Sequence, residues 1–329
     1  MILVRIVRLF ELLGHHAVNY VGACFVILLI ISIYWIVVET AELEFINQDE
    51  EIKILLRLFA RYITFQIFVN LFLFKYYAKY NNVTFWHRLS SGRSLRTFAE
   101  GNSVSEDTEF IVTGQPTVER HLTNIPTNES QSRFCSTCLR ECPLRSHHCP
   151  LCNMCVLRKD HHCFITSGCV GLGNQRFFIV FLFWCTVGLL FAIPFLWLAL
   201  YRDIGEWYSM SFFFYFGPVG VARWLLGYCS GVHAFYSSIF SFSIAAFFCA
   251  AGFFGLQVYY TSCGYTMYEY HNLTVRMTFN GDGDNLGERF RLIFGKNWLL
   301  NFFIPTPWNL PILTPAIAES LLRVRGKVL

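Results

Sequence analysis

The sequence predicts an all-α integral membrane protein with four transmembrane helices and a polar, cysteine-rich module between the second and third helices. Of its 329 residues, 54% are hydrophobic and only 15% are charged, which is typical of membrane proteins. Four apolar stretches also reach the length of about twenty residues that crosses a bilayer. They run from Val18 to Val38, Leu58 to Tyr76, Phe177 to Tyr201 and Phe235 to Tyr260.

A further apolar stretch, from Met210 to Cys229, is interrupted by Gly217, Pro218, Gly220 and Arg223. This pattern is compatible with a re-entrant segment, an interfacial segment or an extra span. An extra span would break the even number of crossings.

The distribution of charges predicts the orientation in the membrane. Arg5 and Arg8 precede the first span, whereas the loop 39–53 is strongly acidic, so the N-terminus should be cytosolic and the first loop lumenal. The segment after the second span and the C-terminal tail are rich in Arg and Lys. We therefore expect both termini in the cytosol, and the first span retained as an anchor because no cleavage pattern precedes it. The expected location is an endomembrane, either ER or Golgi.

The chain divides into four expected parts. Residues 1–80 form the N-terminal tail and the first two spans, and 81–174 form a cytosolic linker and the cysteine-rich module. Residues 175–260 hold the last two spans with the apolar segment between them, and 261–329 form a cytosolic tail. Within the second part, the stretch from Ser90 to Gln131 is polar and aperiodic, which favours a loosely ordered linker.

Seven of the 13 cysteines fall between Cys135 and Cys163, on the side assigned to the cytosol, where thiols stay reduced. Zinc binding is therefore predicted in preference to disulfides. Two tetrahedral sites need eight ligands, and metal binding would replace the core that so short a polar segment lacks. After Cys142, Cys163, His147 and His161 are set aside, eight candidates remain: Cys135, Cys138, His148, Cys149, Cys152, Cys155, His162 and Cys169. The spacing does not decide which ligands share an ion.

The run Asp160-His161-His162-Cys163 places a thiol beside a base. In an extended run the side chains alternate, so His161 and Cys163 project to one side and His162 to the other. His162 can then bind zinc, while His161 takes the proton of Cys163 and Asp160 orients His161. In the alternative interpretation, Cys163 and His161 are further zinc ligands or structural residues.

This pattern resembles the DHHC-type zinc-containing protein S-acyltransferases, or palmitoyltransferases, which are membrane enzymes that transfer a fatty acyl group from acyl-CoA to protein cysteines. The motif runs Cys135-x2-Cys138-x3-Cys142-Pro143-x-Arg145-x2-His148-Cys149-x2-Cys152-x2-Cys155-x4-Asp160-His161-His162-Cys163, then Cys169-Val170-Gly171-x2-Asn174-x3-Phe178. The two pairs of spans that flank the motif also agree with the architecture of the family.

The resemblance implies two structural zinc ions, acyl-CoA as co-substrate and an acyl-Cys163 intermediate, with His161 as base and Asp160 orienting it. It also implies that Arg133 and His147 face CoA. The implied partners are the bilayer and proteins with cytosolic juxtamembrane cysteines, and no nucleic acid is expected. One zinc would be held by Cys135, Cys138, His148 and Cys155, and the other by Cys149, Cys152, His162 and Cys169.

The chain departs from the family directly after Cys163. Where the family has Pro-Trp and a pair of Asn, this sequence has Phe164, Ile165, Ser167 and Gly168. Cys142 also stands where Lys is common, and the family's Thr-Thr-x-Glu is here Thr266-Met267-Tyr268-Glu269. An alternative function is therefore a catalytically weak or inactive zinc-containing membrane scaffold or adaptor. A zinc-bearing ligase or redox protein is a third class, which the order of the ligands does not favour.

Overall fold

The structure is a computed structural model that describes residues 2–44, 50–85, 110–111, 132–205, 208, 210–279, 281–306, 312–313, 321, 323–324 and 327–328. The linker predicted from Ser90 to Gln131 lies outside the described residues, except for 110–111. The chain forms two compact units. The module unit comprises Met1–Tyr20, Leu71–Ile179 and Gln257–Leu329, and the helical unit comprises Val21–Asn70 and Val180–Leu256.

Helices dominate the described residues. Four are long: α1 (Ile2–Glu44), α2 (Glu50–Tyr77), α3 (Gln175–Ile204) and α5 (Gly231–Cys263). The shorter helices are α4 (Gly217–Leu225), α6 (Met267–His271), α7 (Leu273–Thr278), α8 (Leu286–Phe294) and α9 (Leu300–Phe303), with 3-10 helices at Ala78–Asn81 and Met210–Tyr215.

Among the residues that the structure describes, three helical segments are long and apolar enough to cross a membrane: Ala17–Leu43, Gln175–Ile204 and Gly231–Cys263. They identify the chain as an integral membrane protein. The predicted second span lies in α2, which is not among them. Arg61, Gln66 and Asn70 lower its hydropathy, and the Gln66 amide donates to the Tyr62 hydroxyl within the same helix at 2.9 Å. A count of four spanning helices therefore stays a prediction.

The apolar segment from Met210 to Cys229 does not form an additional spanning helix in the described residues. It consists of the 3-10 helix Met210–Tyr215 and the nine-residue helix α4. At 1.5 Å per residue, α4 is about 14 Å long, roughly half the thickness of the hydrocarbon core. The re-entrant and interfacial interpretations remain.

The helical unit is held together by apolar contacts between the long helices. Leu29, Ile36, Leu196 and Ile239 form a buried cluster. Gly188 in α3 allows a close approach, because a Cβ atom there would lie 2.8 Å from Cγ2 of Ile63 in α2. Packing of this kind keeps the four helix segments in one bundle.

The cysteine-rich module is built of three antiparallel hairpins rather than helices. The predicted all-α class is therefore wrong for this module. The hairpins pair β2 (Ser132–Cys135) with β3 (Arg140–Pro143), β4 (Ser146–Cys149) with β5 (Met154–Leu157), and β6 (His161–Cys163) with β7 (Gly168–Val170). Strands of three or four residues are too short to show an alternating pattern. The remaining strand pairs are β1 (Phe110–Ile111) with β8 (Ile312–Leu313), and β9 (Arg323–Val324) with β10 (Lys327–Val328).

The three hairpins share one design. In each, a cysteine ends the first strand, and a four-residue turn closes on a residue with positive φ: Leu139 at 51°, Asn153 at 49° and Ser167 at 53°. The cysteines at the equivalent position are Cys135, Cys149 and Cys163. The third hairpin therefore presents Cys163 as the other two present a candidate metal ligand, and the three cysteines recur every 14 residues in the sequence.

Candidate active site and metal centres

The first cluster of candidate metal ligands joins the first two hairpins. It consists of Cys135, Cys138, His148 and Cys155, whose ligand atoms all lie within 4.8 Å of one another. The Cys138 Sγ is 3.3 Å from His148 Nδ1 and 3.6 Å from the Cys155 Sγ.

The second cluster joins the second and third hairpins. It consists of Cys149, Cys152, His162 and Cys169. The Nδ1 atom of His162 lies 3.5 Å from the Cys149 Sγ, 3.4 Å from the Cys152 Sγ and 3.6 Å from the Cys169 Sγ. The two clusters together would connect the three hairpins in series.

These distances fit tetrahedral zinc. Bond lengths of about 2.3 Å to sulfur and 2.0–2.1 Å to nitrogen give sulfur–sulfur edges of about 3.8 Å and sulfur–nitrogen edges of about 3.5 Å. The observed separations of 3.3–3.6 Å lie close to these values. Both clusters could therefore hold a metal ion, and three thiolates with one imidazole suit zinc.

A further contact fixes the tautomer of His162. Its Nε2 atom lies 3.2 Å from Oδ1 of Asn19 in α1, and Asn19 Nδ2 donates to the Ser167 hydroxyl at 2.7 Å. Because the Asn19 oxygen can only accept, Nε2 carries the proton and Nδ1 keeps its lone pair for a metal. Ser167, one of the departures from the family pattern, thus contributes to the support of His162.

The strand β6 separates His162 from the thiol and its base. His161 Nδ1 lies 2.7 Å from Asp160 Oδ2, and its side chain hydrogen-bonds to Cys163. Since a carboxylate only accepts, the neutral imidazole carries its proton on Nδ1 and its lone pair on Nε2. Asp160, His161 and Cys163 are thus brought together, and none of the three belongs to either candidate metal cluster.

The electrostatics favour a thiolate and an imidazolium. Burial lowers the pKa of His161, but its bonds to Asp160 and Cys163 outweigh burial and raise the pKa to about 9. Burial raises the pKa of Cys163, but His161 and the backbone N–H of Thr166 outweigh it and lower the pKa below its usual value. Near neutral pH the proton is therefore favoured on His161.

Asp160 is held by residues that lie far from it in the sequence. Gln257 Nε2 donates to its Oδ2 at 2.8 Å, and the backbone N–H of Met267 donates to its Oδ1 at 2.6 Å. Asp160 is 2% exposed, and the partners found for its carboxylate are all donors. This environment suits an ionised carboxylate that orients His161.

A buried ionic cluster attaches the tail to the module. Arg145 bonds to Glu269 at 2.6 Å and to Asp282 at 2.7 Å, and Arg158 bonds to Asp282 at 2.7 Å. All four side chains are at most 3% exposed, and two positive charges face two negative ones. The charges balance, which is the condition under which buried ions are tolerated.

The loop after Cys169 is held by two buried amides. Asn81 Nδ2 donates to Asn174 Oδ1 at 2.8 Å, and Asn174 Nδ2 donates to the Cys169 carbonyl at 3.0 Å. Gly171 is needed at this point, since a Cβ atom would lie 2.9 Å from both Asn81 Oδ1 and the Leu157 carbonyl.

The two residues that the resemblance assigns to CoA lie side by side. Arg133 Nη1 is 3.1 Å from His147 Nδ1, and the His147 ring lies 4.2 Å from the ring of Tyr268. Burial, followed by the charges of Arg133 and Lys159, lowers the pKa of His147 to about 4. His147 is therefore neutral at neutral pH, and of this pair only Arg133 carries a charge.

The departures from the family pattern fall in two environments. Phe164 and Ile165 are 37% and 48% exposed on the turn after Cys163. Cys142 is fully buried in the small core of the module, outside both metal clusters.

Sequence reasoning missed three polar residues of this site: Asn19, Gln175 and Gln257. All three are at most 7% exposed, and each lies in a segment that was assigned to the membrane by its hydropathy or borders such a segment. Isolated amides in apolar helices were a detectable signal, because burying an amide is costly unless it is hydrogen-bonded. The sequence does not show which groups form hydrogen bonds with these amides.

Comparison with known proteins identifies this region. Residues 128–274 match the family model "DHHC palmitoyltransferase". Palmitoyltransferase PFA3 of Candida glabrata is 40% identical over 81 residues, covering 25% of this chain and 23% of that protein. Palmitoyltransferase swf1 of Schizosaccharomyces pombe is 58% identical over 75 residues, or 20% and 21% of the two chains. Human palmitoyltransferase ZDHHC17 is 40% identical over 76 residues, or 23% and 11%.

The chain thus aligns with less than a quarter of the length of each of these relatives. The residues that match the family model include the three hairpins, which carry both metal clusters and Cys163. Residues 128–274 of this chain are thus similar to the DHHC palmitoyltransferase family.

Proposed function

We propose that this protein is a protein S-acyltransferase that moves a long-chain acyl group, palmitoyl in particular, from acyl-CoA to cysteine thiols of membrane-associated proteins. The proposal rests on the arrangement of the Asp160, His161 and Cys163 side chains. It presents a thiol of lowered pKa beside an oriented base, outside both metal clusters.

In the first half of the reaction, the Cys163 proton rests on His161 Nε2 and the Cys163 thiolate attacks the thioester carbonyl of acyl-CoA. A bond forms between the Cys163 Sγ and the acyl carbon, and the bond from that carbon to the CoA sulfur breaks. The CoA thiolate leaves and takes the proton from His161. Asp160 keeps Nδ1 protonated, so that Nε2 is the nitrogen that exchanges this proton.

In the second half, a substrate cysteine gives its proton to His161 Nε2 and its sulfur attacks the acyl-Cys163 thioester. The bond to the Cys163 sulfur breaks, and Cys163 recovers the proton from His161. One thioester replaces another in each half, so neither an oxidant nor an external energy source is needed.

The two metal clusters have a structural role in this proposal. Zinc would be held by Cys135, Cys138, His148 and Cys155 in one site, and by Cys149, Cys152, His162 and Cys169 in the other. Each set uses all four positions of a tetrahedral ion, which leaves no position for substrate. The ions would fix the hairpins, and the second would hold His162 one residue away from Cys163.

We propose that the reaction takes place at the cytosolic face of an ER or Golgi membrane, with both termini in the cytosol. The excess of Arg and Lys in the segments assigned to that side supports this orientation. Arg133, with neutral His147 beside it, would meet the phosphates of acyl-CoA.

A catalytically weak membrane scaffold of the same family is a second candidate. It is favoured by Phe164 and Ile165, which follow Cys163 where the family has Pro-Trp and lie partly exposed.

One assay separates the two candidates. The purified full chain is incubated with labelled palmitoyl-CoA, and label that hydroxylamine removes is counted. The acyltransferase proposal expects such label in the wild type and none in Cys163→Ser, and it expects slower labelling in His161→Ala. Equal labelling of wild type and Cys163→Ser, or none in either, would remove the enzyme interpretation in favour of the scaffold.

A further inference from the structure

A chain of buried hydrogen bonds runs from the tail to the catalytic pair. Arg158 bonds to Asp282 through Nε at 3.0 Å and Nη2 at 2.7 Å, and its Nη1 donates to Gln175 Oε1. Gln175 Nε2 donates to Gln257 Oε1 at 3.0 Å, and Gln257 Nε2 donates to Asp160 Oδ2 at 2.8 Å. The linking side chains are each 1% exposed, so water does not compete for these bonds.

The direction of this chain follows from chemistry alone. A guanidinium has only donors, so Gln175 must present its oxygen to Arg158 and its amide N–H to Gln257. Gln257 must then accept from Gln175 and donate to Asp160. Asp160, which can only accept, also receives the N–H of His161 Nδ1. A fixed cation at one end thus determines the orientation of every group up to the imidazole.

We infer that Gln257 and Gln175 are positioning residues, which act as a one-way hydrogen-bond relay that holds Asp160 and the Nδ1–H tautomer of His161. Their side chains bond to Arg158, to each other and to Asp160, and not to the thiol. The relay requires both glutamines in series, because Gln175 reaches Asp160 only through Gln257.

This inference deepens the proposed function, and its first readout does not depend on acyl transfer. Alkylation of Cys163 by iodoacetamide at neutral pH measures the thiolate that His161 stabilises. In Gln257→Met, which keeps the length but loses the donor, we expect alkylation to slow about fivefold, and in Gln175→Met about twofold to threefold. The double variant should be alkylated no more slowly than Gln257→Met alone. Once Gln257 no longer donates to Asp160, the loss of Gln175 has no further effect on Asp160.

Gln66→Met is the matched control, since it also removes a buried amide from an apolar helix, and Gln66 lies in the helical unit. In Gln66→Met, the rate at which Cys163 is alkylated should stay at the wild-type value. Zinc content and melting temperature establish folding for each variant. If Gln257→Met does not fold, Gln257→Asn keeps the amide but is one methylene too short, and the same slowing is expected.

Single-turnover acylation by palmitoyl-CoA gives the second readout. The maximal rate of Gln257→Met should fall while the half-saturating concentration of palmitoyl-CoA stays unchanged. The relay would be overturned if Gln257→Met were alkylated at the wild-type rate. It would also be overturned if the slowing caused by the two substitutions multiplied in the double variant. Slowed alkylation in a chain whose wild type takes no acyl label would support the relay and refute the acyltransferase function alone.

Discussion

The backbone N–H of Met267 donates to Oδ1 of Asp160 across 2.6 Å, so the segment after the last long helix reaches the carboxylate that orients His161. The bond belongs to the main chain and does not depend on the Met267 side chain. A capping box at the start of α6 fixes the orientation of this N–H. In it, Thr266 Oγ1 accepts from the Glu269 N–H at 3.2 Å, and Glu269 Oε2 accepts from the Thr266 N–H at 2.9 Å.

The substitution Met267→Pro should slow single-turnover acylation about tenfold, because it removes this donor to a charged acceptor. Proline is well tolerated at the first position of a helix, and the extended Thr266, with ψ at 164°, suits a residue before proline. Met267→Ala retains the N–H and should remain within about twofold of the wild type. A rate loss in the alanine variant as large as in the proline variant would assign the effect to the side chain.

Metal content should report the two clusters separately. His162→Ala is expected to lower bound zinc from two ions per chain to about one, and His148→Ala should do the same, because each imidazole belongs to a different cluster. Cys163→Ser should retain both ions. Metal analysis of the purified full-length variants measures this, and loss of zinc in Cys163→Ser would make Cys163 a ligand instead of a nucleophile.

The pH dependence of Cys163 alkylation should reflect its lowered pKa. The thiolate is the reactive form, so the rate rises with pH through the pKa of Cys163 and levels off above it. The midpoint of this rise should lie at lower pH than for an ordinary exposed thiol, because the pKa of Cys163 is lowered. His161→Ala should move the inflection to higher pH, because the imidazolium that stabilises the thiolate is lost. If the pH profile were unchanged in His161→Ala, His161 would not stabilise the Cys163 thiolate.

Removal of one charge from the ionic cluster should destabilise the protein strongly. Asp282→Asn leaves Arg145 and Arg158 with one carboxylate between them, a loss of about 3–5 kcal/mol for breaking a buried ion pair. The melting temperature of the detergent-purified chain should fall by many degrees. Asp284→Asn, two residues further along and exposed, is the control and should melt like the wild type. Equal melting of both variants would contradict a structural role for the cluster.

Much of the site follows from local pattern. The spacing of the cysteines and histidines indicated the metal ligands, and the two-residue period of a strand separated His162 from His161 and Cys163. The lengths of the apolar stretches indicated the membrane class. α2 shows the limit of that reasoning, since Gln66 and Asn70 make its span ambiguous by composition alone.

The turns show another limit. Leu139 and Ser167 take positive φ without being glycine, so the local sequence gave no turn signal there. The 14-residue spacing of Cys135, Cys149 and Cys163 is visible in the sequence, but without turn signals it did not predict three equivalent hairpins.

By itself, the sequence determined which residue types are available to bind metal, to attack and to cross a membrane, because spacing and hydropathy are properties of neighbouring residues. Only the tertiary structure decided which residues hold Asp160 and His162 in place. Gln257 lies 97 residues from Asp160, and Asn19 lies 143 residues from His162. Hydrogen bonds over such distances have no sequence period, since they arise where a buried polar group must find a partner once the chain has folded.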